Sequence, residues 1–271
     1  MVVSTASLAA MFFSLFASLF LPVGLIIYFY RRYRFSVKAC FLGAGVFILF
    51  QLLLRLPLLN YLLVQPWLGR FSTNIFFYAV VVGGFTAGLF EECGRYLAFQ
   101  TVLKGDLSWN TGLAYGLGHG GVEAIVLVGF TYINNIVISL MINRGLFEQL
   151  IAPRLGAEAS LIKAQLVGLP PSVFLAAGVE RMLTLIVQLA LSLIVLYAVK
   201  SRRPVFLLAA ILLHTGLNAG VVYLQAGGAA IWTIELFIAA AAAAALYLII
   251  RLKGSLELLE NPAEPTDSAV Q

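Results

Sequence analysis

Long, nearly uncharged apolar runs are the feature that most limits what this chain can fold into. A hydrocarbon core of roughly 30 Å needs about 20 apolar residues per spanning helix, and several stretches are that long. Of the 271 residues, 62% are hydrophobic and only 11% are charged, unlike a soluble domain. The runs are continuous and too long for the alternating strands of a membrane barrel. The sequence therefore predicts an all-α, polytopic membrane helical bundle whose constant partner is the lipid bilayer.

The runs predict about seven spanning helices, over residues 7–29, 36–54, 73–103, 110–142, 171–199, 204–224 and 229–250. Residues 143–170 are too mixed to span and are expected to include an amphipathic helix on the outer surface. The expected organisation is one transmembrane helical domain over residues 1–255. Residues 256–271 are rich in carboxylates and predict a disordered cytoplasmic tail.

Basic residues between the runs predict the orientation, because cytoplasmic loops carry the excess of Lys and Arg. Ten basic residues follow the first, third, fifth and seventh helices, and the opposite loops hold Arg55, Arg70, Arg144, Arg154 and Lys163. The N-terminus is therefore expected outside and the C-terminus in the cytoplasm. The net charge of +5 comes from these short clusters, which indicate topology and no nucleic-acid partner.

Three predicted helices carry polar residues where lipid makes them costly, which by default marks a functional site. They are Glu91, Glu92 and Arg95 on the third helix, His119 and Glu123 on the fourth, and His214 and Asn218 on the sixth. Counted from the predicted cytoplasmic ends, Glu91, His119 and His214 lie about 12, 9 and 10 residues deep, roughly 14–18 Å. We expect them to form one layer in a wet cavity that opens to the cytoplasm.

Glycines at four-residue spacing predict close helix packing around this layer. They are Gly84 and Gly88 on the third helix and Gly112, Gly116 and Gly120 on the fourth, and they favour contact between these two helices. Only a few other charged residues lie within the predicted helices. Glu180 and Arg181 lie nearer the outer surface and are assigned a supporting role, and Glu235 is interpreted as a lone interfacial carboxylate.

The residue types at this layer are those of a hydrolase. A carboxylate beside an imidazole can deprotonate water, and a second imidazole with an amide can stabilise an oxyanion. The purely structural alternative is an intrahelical ion pair between Glu91 and Arg95, with both histidines as satisfied core groups.

At these positions the sequence resembles the YhfC-type family of intramembrane peptidases, within the wider group of CAAX-prenyl proteases, bacteriocin-processing (CPBP) relatives and PrsW-like proteases. The group is marked by a Glu-Glu pair before an Arg, an aromatic residue before a His, and a His before Asn or Asp. The matching residues are Glu91, Glu92 and Arg95, Tyr115 and His119, and His214 and Asn218. Arg95 comes one residue sooner than in the CAAX proteases, the aromatic is Tyr, and Glu123 is similar to the PrsW pattern.

The resemblance implies a protease-like core over residues 73–224, in an intramembrane endopeptidase of the bacterial cytoplasmic membrane that cuts membrane-associated or transmembrane substrates. It assigns water activation to Glu91 and His119 and oxyanion binding to His214 and Asn218. The supporting residues are Glu92, Arg95, Tyr115, Glu123, Glu180 and Arg181. No cofactor is then required.

Three alternatives stay open on the sequence. In the first, Glu91, His119 and His214 are the ligands of a catalytic zinc ion. In the second, the buried polar residues belong to a transporter or proton relay, although no inverted repeat is present. In the third, the chain is an immunity protein that binds peptides without cutting them.

Overall fold

The computed structural model describes residues 2–71 and 73–260, with Glu260 described by its backbone alone. Seven helices in this part are long and apolar enough to cross a membrane: α1 (Thr5–Tyr33), α2 (Val37–Leu63), α3 (Ile75–Gln100), α4 (Trp109–Asn143), α5 (Pro171–Lys200), α6 (Val205–Ala226) and α7 (Ile231–Glu260). The described residues contain no strand. The predicted all-α membrane bundle is therefore confirmed.

Serine residues begin three of these helices. Ser4, Ser36 and Ser108 precede α1, α2 and α4, and each hydroxyl accepts a hydrogen bond from a backbone N–H of the first turn. Those N–H groups have no partner within the helix, so the caps satisfy them. α5 begins instead with Pro171, whose missing N–H costs nothing in the first turn.

The second helix is longer than predicted, because Arg55 lies inside it rather than in a loop. The Arg55 side chain is buried, and its Nε and a terminal nitrogen each donate a 2.8 Å hydrogen bond, to Thr86 Oγ1 and to the carbonyl of Val82 in α3. These acceptors allow the guanidinium to lie within the bundle, where its charge would otherwise be costly. A charge in the sequence was therefore a misleading sign of a helix end.

The last helix also continues beyond its predicted end. α7 extends to Glu260, so residues 256–260 are helical rather than part of a disordered tail. Residues 261–271 of the predicted tail lie outside the described residues. The predicted boundary at residue 255 is therefore too early by at least five residues.

Three adjacent spanning helices contain π-helical segments. They are Ile48–Arg55 in α2, Tyr78–Phe85 in α3 and Ile125–Gly129 in α4. In α3 the segment directly precedes the α-helical part that carries Glu91, and in α4 it begins two residues after Glu123. The wider turns of a π-helix are frequent at functional sites. Here they border the polar layer on one side.

Direct backbone contact joins α2 to α4. A Cβ added to Gly43 would lie 2.1 Å from the carbonyl oxygen of Tyr115, and one added to Gly118 would lie 1.8 Å from that of Cys40. Only glycine permits such an approach. One turn beyond Gly43, the Phe47 ring meets the His119 ring edge-on at 5.3 Å.

The predicted packing of the glycine rows against each other is wrong. Gly84 and Gly88 of α3 face Thr215 in α6, while the glycines of α4 face α5. The α5 residues in contact are Leu193 for Gly112, Leu189 for Gly116, and Leu185 and Gln188 for Gly120. The glycine rows therefore bring α3 close to α6 and α4 close to α5.

Short helices form a cap between α4 and α5, over residues 146–169. They include Phe147–Leu150, Ala152–Leu155 and Ala159–Gly168. Nearby, the Asn143 side chain pairs with both backbone groups of Val3, accepting at 2.7 Å and donating at 2.9 Å. The cap and the N-terminus therefore lie at the same end of the bundle, called the cap end below.

Candidate active site

Three residues from different helices meet at one oxygen atom. Glu91 Oε2 lies 2.9 Å from His119 Nε2 and 4.0 Å from His214 Nε2. All three residues are buried, with at most 3% of each exposed. The structure thus brings together, across α3, α4 and α6, the three residues that the depth argument placed in one layer.

Glu92 holds His214 in a defined orientation. Its Oε1 lies 2.7 Å from His214 Nδ1, and neither group has a competing partner at that atom among the described residues. A carboxylate accepts, so Nδ1 carries a proton and Nε2 is directed toward Glu91. The adjacent carboxylates of α3 therefore serve different histidines, Glu91 facing His119 and Glu92 fixing His214.

Arg95 is the buried cation of this group. Its guanidinium is fully buried and lies 3.2 Å from Glu92 and 3.8 Å from Glu91. A terminal nitrogen also lies 3.1 Å from His119 Nε2. We call these five residues, Glu91, Glu92, Arg95, His119 and His214, the Arg95 cluster. The positive charge of Arg95 therefore lies beside Glu91 and His119, the carboxylate and imidazole that could exchange a proton.

Two residues of α5 hold Arg95 from its other side. One terminal nitrogen donates to Ser192 Oγ at 2.7 Å and to the Gln188 carbonyl at 3.0 Å, and the other donates to Gln188 Oε1 at 2.5 Å. Neither residue was among those predicted from the sequence. A signal was present, since Gln188 and Ser192 are polar, four residues apart and set in an otherwise apolar run.

Gln188 also reaches a second group of charges. Its Nε2 donates to Glu123 Oε2 at 2.6 Å, and Arg181 donates to Glu123 Oε1 at 3.0 Å and to Glu180. We call Glu123, Glu180 and Arg181 the Arg181 cluster. Its side chains are 10–25% exposed, against at most 4% in the Arg95 cluster. The structure therefore connects Glu180 and Arg181 to the site through Glu123.

A cavity of about 140 Å³ lies between the clusters and α6. Its polar lining comprises Glu123, Glu180, Arg181, Thr184, Gln188, His214 and Asn218. Asn218, one turn beyond His214, has no hydrogen-bond partner among the described residues. The cavity combines these polar groups with apolar walls and is large enough to hold several water molecules.

The cavity extends in a different direction from the one predicted. Its walls run from His214 toward Gly83 and Val222, which lie on the cap side of the polar layer. With the N-terminus outside, that side would be away from the cytoplasm. The predicted cytoplasmic opening therefore does not agree with the predicted orientation.

Aromatic residues cover the buried face of His119. The rings of Tyr115 and His119 stack at 6.2 Å, and Phe47, which the sequence analysis did not select, completes the enclosure. His119 Nδ1 and the Tyr115 hydroxyl are buried without a hydrogen-bond partner in the described residues. The imidazole is thus positioned by ring contacts on one side and by Glu91 on the other.

Glu235 is buried, contrary to its interpretation as an interfacial carboxylate. It is 5% exposed, and its Oε2 has no hydrogen-bond partner in the described part of the chain. Glu180 and Arg181 are close enough to interact with it electrostatically. The residue therefore adds a further carboxylate beside the Arg181 cluster.

A metal ion could be held by a set of donors that overlaps the predicted one. Glu91, His119 and Glu123 each offer a ligand atom, all within 4.8 Å of one another. Glu123 takes the place that the zinc alternative gave to His214. One imidazole and two carboxylates are donors that zinc accepts, so the residues fit the ion in type. Arg95, close to His119 Nε2, is a competing cation at the same position.

Comparison with known proteins identifies the family. The family model described as YhfC intramembrane metalloprotease matches residues 17–238. This chain belongs to that family. It is 41% identical over 238 residues to the "Uncharacterized membrane protein YhfC" of Bacillus subtilis (strain 168), covering 86% of this chain and 91% of that protein. No solved structure matches the chain.

Membership of the YhfC family confirms the resemblance seen in the motifs. Together with the seven apolar helices, it supports an integral membrane protein of an intramembrane protease family. The family description also names a metal-dependent class, which the Glu91, His119 and Glu123 donors are compatible with.

Proposed function

We propose that the protein hydrolyses peptide bonds of membrane-associated or transmembrane substrates with a water molecule activated by Glu91 and His119. The observation that carries this proposal is the 2.9 Å contact between Glu91 Oε2 and His119 Nε2 in a buried layer beside a cavity that several polar side chains line. Carboxylate and imidazole groups in such contact can share a proton taken from water. The family description favours hydrolysis over the transporter and immunity-protein alternatives.

In the proposed reaction, Glu91 and His119 accept a proton as the water oxygen attacks the peptide carbonyl carbon. The same proton then passes to the leaving amine, which breaks the C–N bond. Arg95 keeps a compensating positive charge beside both groups throughout, since α5 holds its guanidinium by three hydrogen bonds. A cation already in place needs no reorganisation during the reaction.

His214 and Asn218 are proposed to stabilise the oxyanion formed in this attack. They lie one helical turn apart on α6 and both line the cavity. The Asn218 amide has no partner in the described chain and is available to donate. His214 can donate from Nε2 when it carries both protons, and the Glu92 carboxylate at Nδ1 compensates that charge.

A bound metal ion is the second candidate for water activation, favoured by the clustered donors and by the family description. Glu91, His119 and Glu123 would hold it, and the ion would act as a Lewis acid toward water. The proposed mechanism requires no metal, so we expect less than stoichiometric zinc in purified protein and activity that survives chelation. Stoichiometric zinc that is lost in a Glu123→Gln variant would support the metal mechanism.

The orientation is proposed from the basic residues, with the N-terminus outside and the C-terminus in the cytoplasm of a bacterial cell. The cavity would then be reached from the cap end, outside the cytoplasm. Reporter fusions within residues 146–169 test this directly. A cytoplasmic signal there would reverse the orientation and place the cavity on the cytoplasmic side.

The central experiment uses Glu91→Gln, His119→Ala and His214→Ala variants. Membrane proteomes of cells that express each variant are compared with those of wild-type cells for new peptide termini. We expect these termini to disappear in all three, while each protein remains folded in detergent. Glu158→Gln, an exposed carboxylate on the cap, is the matched control and should retain them.

Trapping with the Glu91→Gln variant identifies the substrate, because bound peptide that is no longer cut can be recovered and sequenced by mass spectrometry. Normal cleavage by a well-folded Glu91→Gln protein would contradict the glutamate mechanism. Normal cleavage by all three variants would contradict the protease assignment at this site.

A further inference from the structure

A second cavity, of about 580 Å³, lies at the cap end between α4, the cap and the start of α5. Its polar lining comprises Thr131, Asn134, Asn135, Arg154 and Gln165. Thr131 is the lining residue of α4 nearest to Glu123 and is eight residues beyond it, about 12 Å along the helix. The cavity is therefore separate from the candidate active site.

The polar residues of α4 in this cavity are not explained by the fold. Asn134 is exposed on a spanning helix, and neither Asn134 nor Asn135 makes a side-chain hydrogen bond to the described chain. An amide that faces hydrocarbon without a partner costs free energy. Both amides line the cavity, so a polar ligand bound there would supply the partners that they lack.

Arg154 indicates the charge of a ligand that would fit this cavity. It is exposed on the cap and makes no ion pair with a described residue, and the lining contains no Asp or Glu. One cation among neutral donors fits a singly charged anion. Arginine is the side chain best matched to phosphate oxygens, because its guanidinium can donate two parallel hydrogen bonds.

The position of the cavity suits a molecule that is part polar and part apolar. α4 is 35 residues long, about 52 Å, so it is longer than the roughly 30 Å hydrocarbon core and its end reaches the headgroup level. Apolar side chains border the amides, with Val137 44% and Leu169 38% exposed. Polar groups and apolar edges therefore adjoin near the expected membrane boundary.

We propose that this cavity binds the headgroup of an anionic phospholipid. The phosphate diester would accept hydrogen bonds from Arg154, and the glycerol and ester oxygens would accept from the amides of Asn134, Asn135 and Gln165. The acyl chains would lie along Val137 and Leu169. The bound lipid would hold the cap against α4, at a site separate from the proposed catalytic residues.

The test measures lipid retained by the purified protein. Wild type and Arg154→Gln are placed in nanodiscs of phosphatidylglycerol and phosphatidylcholine, re-extracted in detergent, and washed stepwise before the lipid per protein is measured by mass spectrometry. We expect Arg154→Gln to retain roughly tenfold less phosphatidylglycerol, the loss typical of one hydrogen bond to a charged group. Arg144→Gln, an exposed arginine outside the cavity, should retain as much as wild type.

Other outcomes would overturn the proposal. Equal retention by Arg154→Gln and wild type would show that the cavity holds no anionic lipid, and equal loss in Arg144→Gln would show only general attraction to charge. Displacement of the lipid by millimolar inorganic phosphate would identify a free-phosphate site. Asn134→Leu gives an independent arm, since it should lower retention without a change in charge, and normal retention there would contradict the assigned amide contacts.

Discussion

Two clusters in this molecule each place an arginine between two glutamates, but the surroundings of the two arginines differ. In one, Arg95 lies between Glu91 and Glu92 with at most 4% of any side chain exposed. In the other, Arg181 pairs with Glu123 and Glu180, whose side chains are 13% and 25% exposed and line the cavity. Gln188 joins the two by hydrogen bonds to Arg95 and to Glu123.

The difference teaches that access to water, rather than the choice of charged residues, distinguishes the two groups of arginine and glutamate. Charges in an almost fully buried layer interact strongly and keep a fixed geometry, which suits groups that must be positioned before a reaction begins, and His214 brings this layer to the cavity wall. Charges at the edge of a cavity exchange with water and can meet a substrate. The proposed hydrolysis needs both, and α4 contributes to each cluster, with His119 in one and Glu123 one turn later in the other.

The largest expected effect is a difference in stability between variants of the two arginines. Arg95→Met leaves two buried carboxylates without their cation and should lower the free energy of unfolding by roughly 3–5 kcal/mol. Arg181→Met should cost less than about half of that, because water can reach Glu123 and Glu180 through the cavity. Thermal unfolding in one detergent measures both. Equal losses would show that the clusters are equally sealed.

The second effect is on rate. Asn218→Ala removes one proposed oxyanion donor and should lower turnover about 100- to 1000-fold while substrate binding changes little. Asn143→Ala is the control for loss of an amide elsewhere, because it removes only the contacts to Val3 at the cap end. A fall in binding without a fall in turnover would place Asn218 among substrate contacts instead.

The link between the clusters gives a smaller effect. Gln188→Leu removes an acceptor from Arg95 and a donor from Glu123, and should destabilise the protein by about 1–3 kcal/mol. Gln51→Leu is a suitable comparison, since Gln51 Oε1 is buried without a hydrogen-bond partner in the described residues and its loss should be tolerated. Similar unfolding temperatures for the two variants would mean that the clusters are not coupled through Gln188.

The smallest effect concerns Glu235, the carboxylate beside the Arg181 cluster. Glu235→Gln should leave cleavage near the wild-type level and raise stability by up to about 1 kcal/mol, because a buried acid without a partner becomes a neutral amide. Glu180→Gln, which loses a contact to Arg181, should change stability in the opposite direction. A marked loss of cleavage in Glu235→Gln would add this residue to the active site.

The sequence was sufficient for the apolar runs and for the polar layer, because both depend on simple spacing. Residues four apart share a helix face, and counting depth from the predicted cytoplasmic helix ends brought Glu91, His119 and His214 to one level. The observed distances of 2.9 and 4.0 Å to Glu91 Oε2 agree with that layer.

Other features depend on contacts between distant parts of the chain. The charge of Arg55 predicts a loop residue, because its hydrogen-bond acceptors in α3 cannot be seen in the sequence. The spacing of the glycines likewise does not specify which helix they face. The neighbour of a helix in a bundle is set by packing over its whole length. Gln188 lies between these cases, since its polarity was visible in the sequence but its position between Arg95 and Glu123 was not.

The π-helical segment Tyr78–Phe85 has a consequence for comparing related sequences. A π-helical turn holds more residues than an α-helical turn, so it acts like an insertion absorbed within the helix. Each residue gained or lost rotates the chain by about 100°. A relative one residue shorter here would keep Glu91 and Glu92 in place against α4 and α6 but turn the preceding part of α3 to a new face. Alignment gaps within 78–85 would therefore mark a change in what that part of α3 presents to the lipid and to the cavity wall, in a protein whose Glu91-Glu92 pair is unaltered.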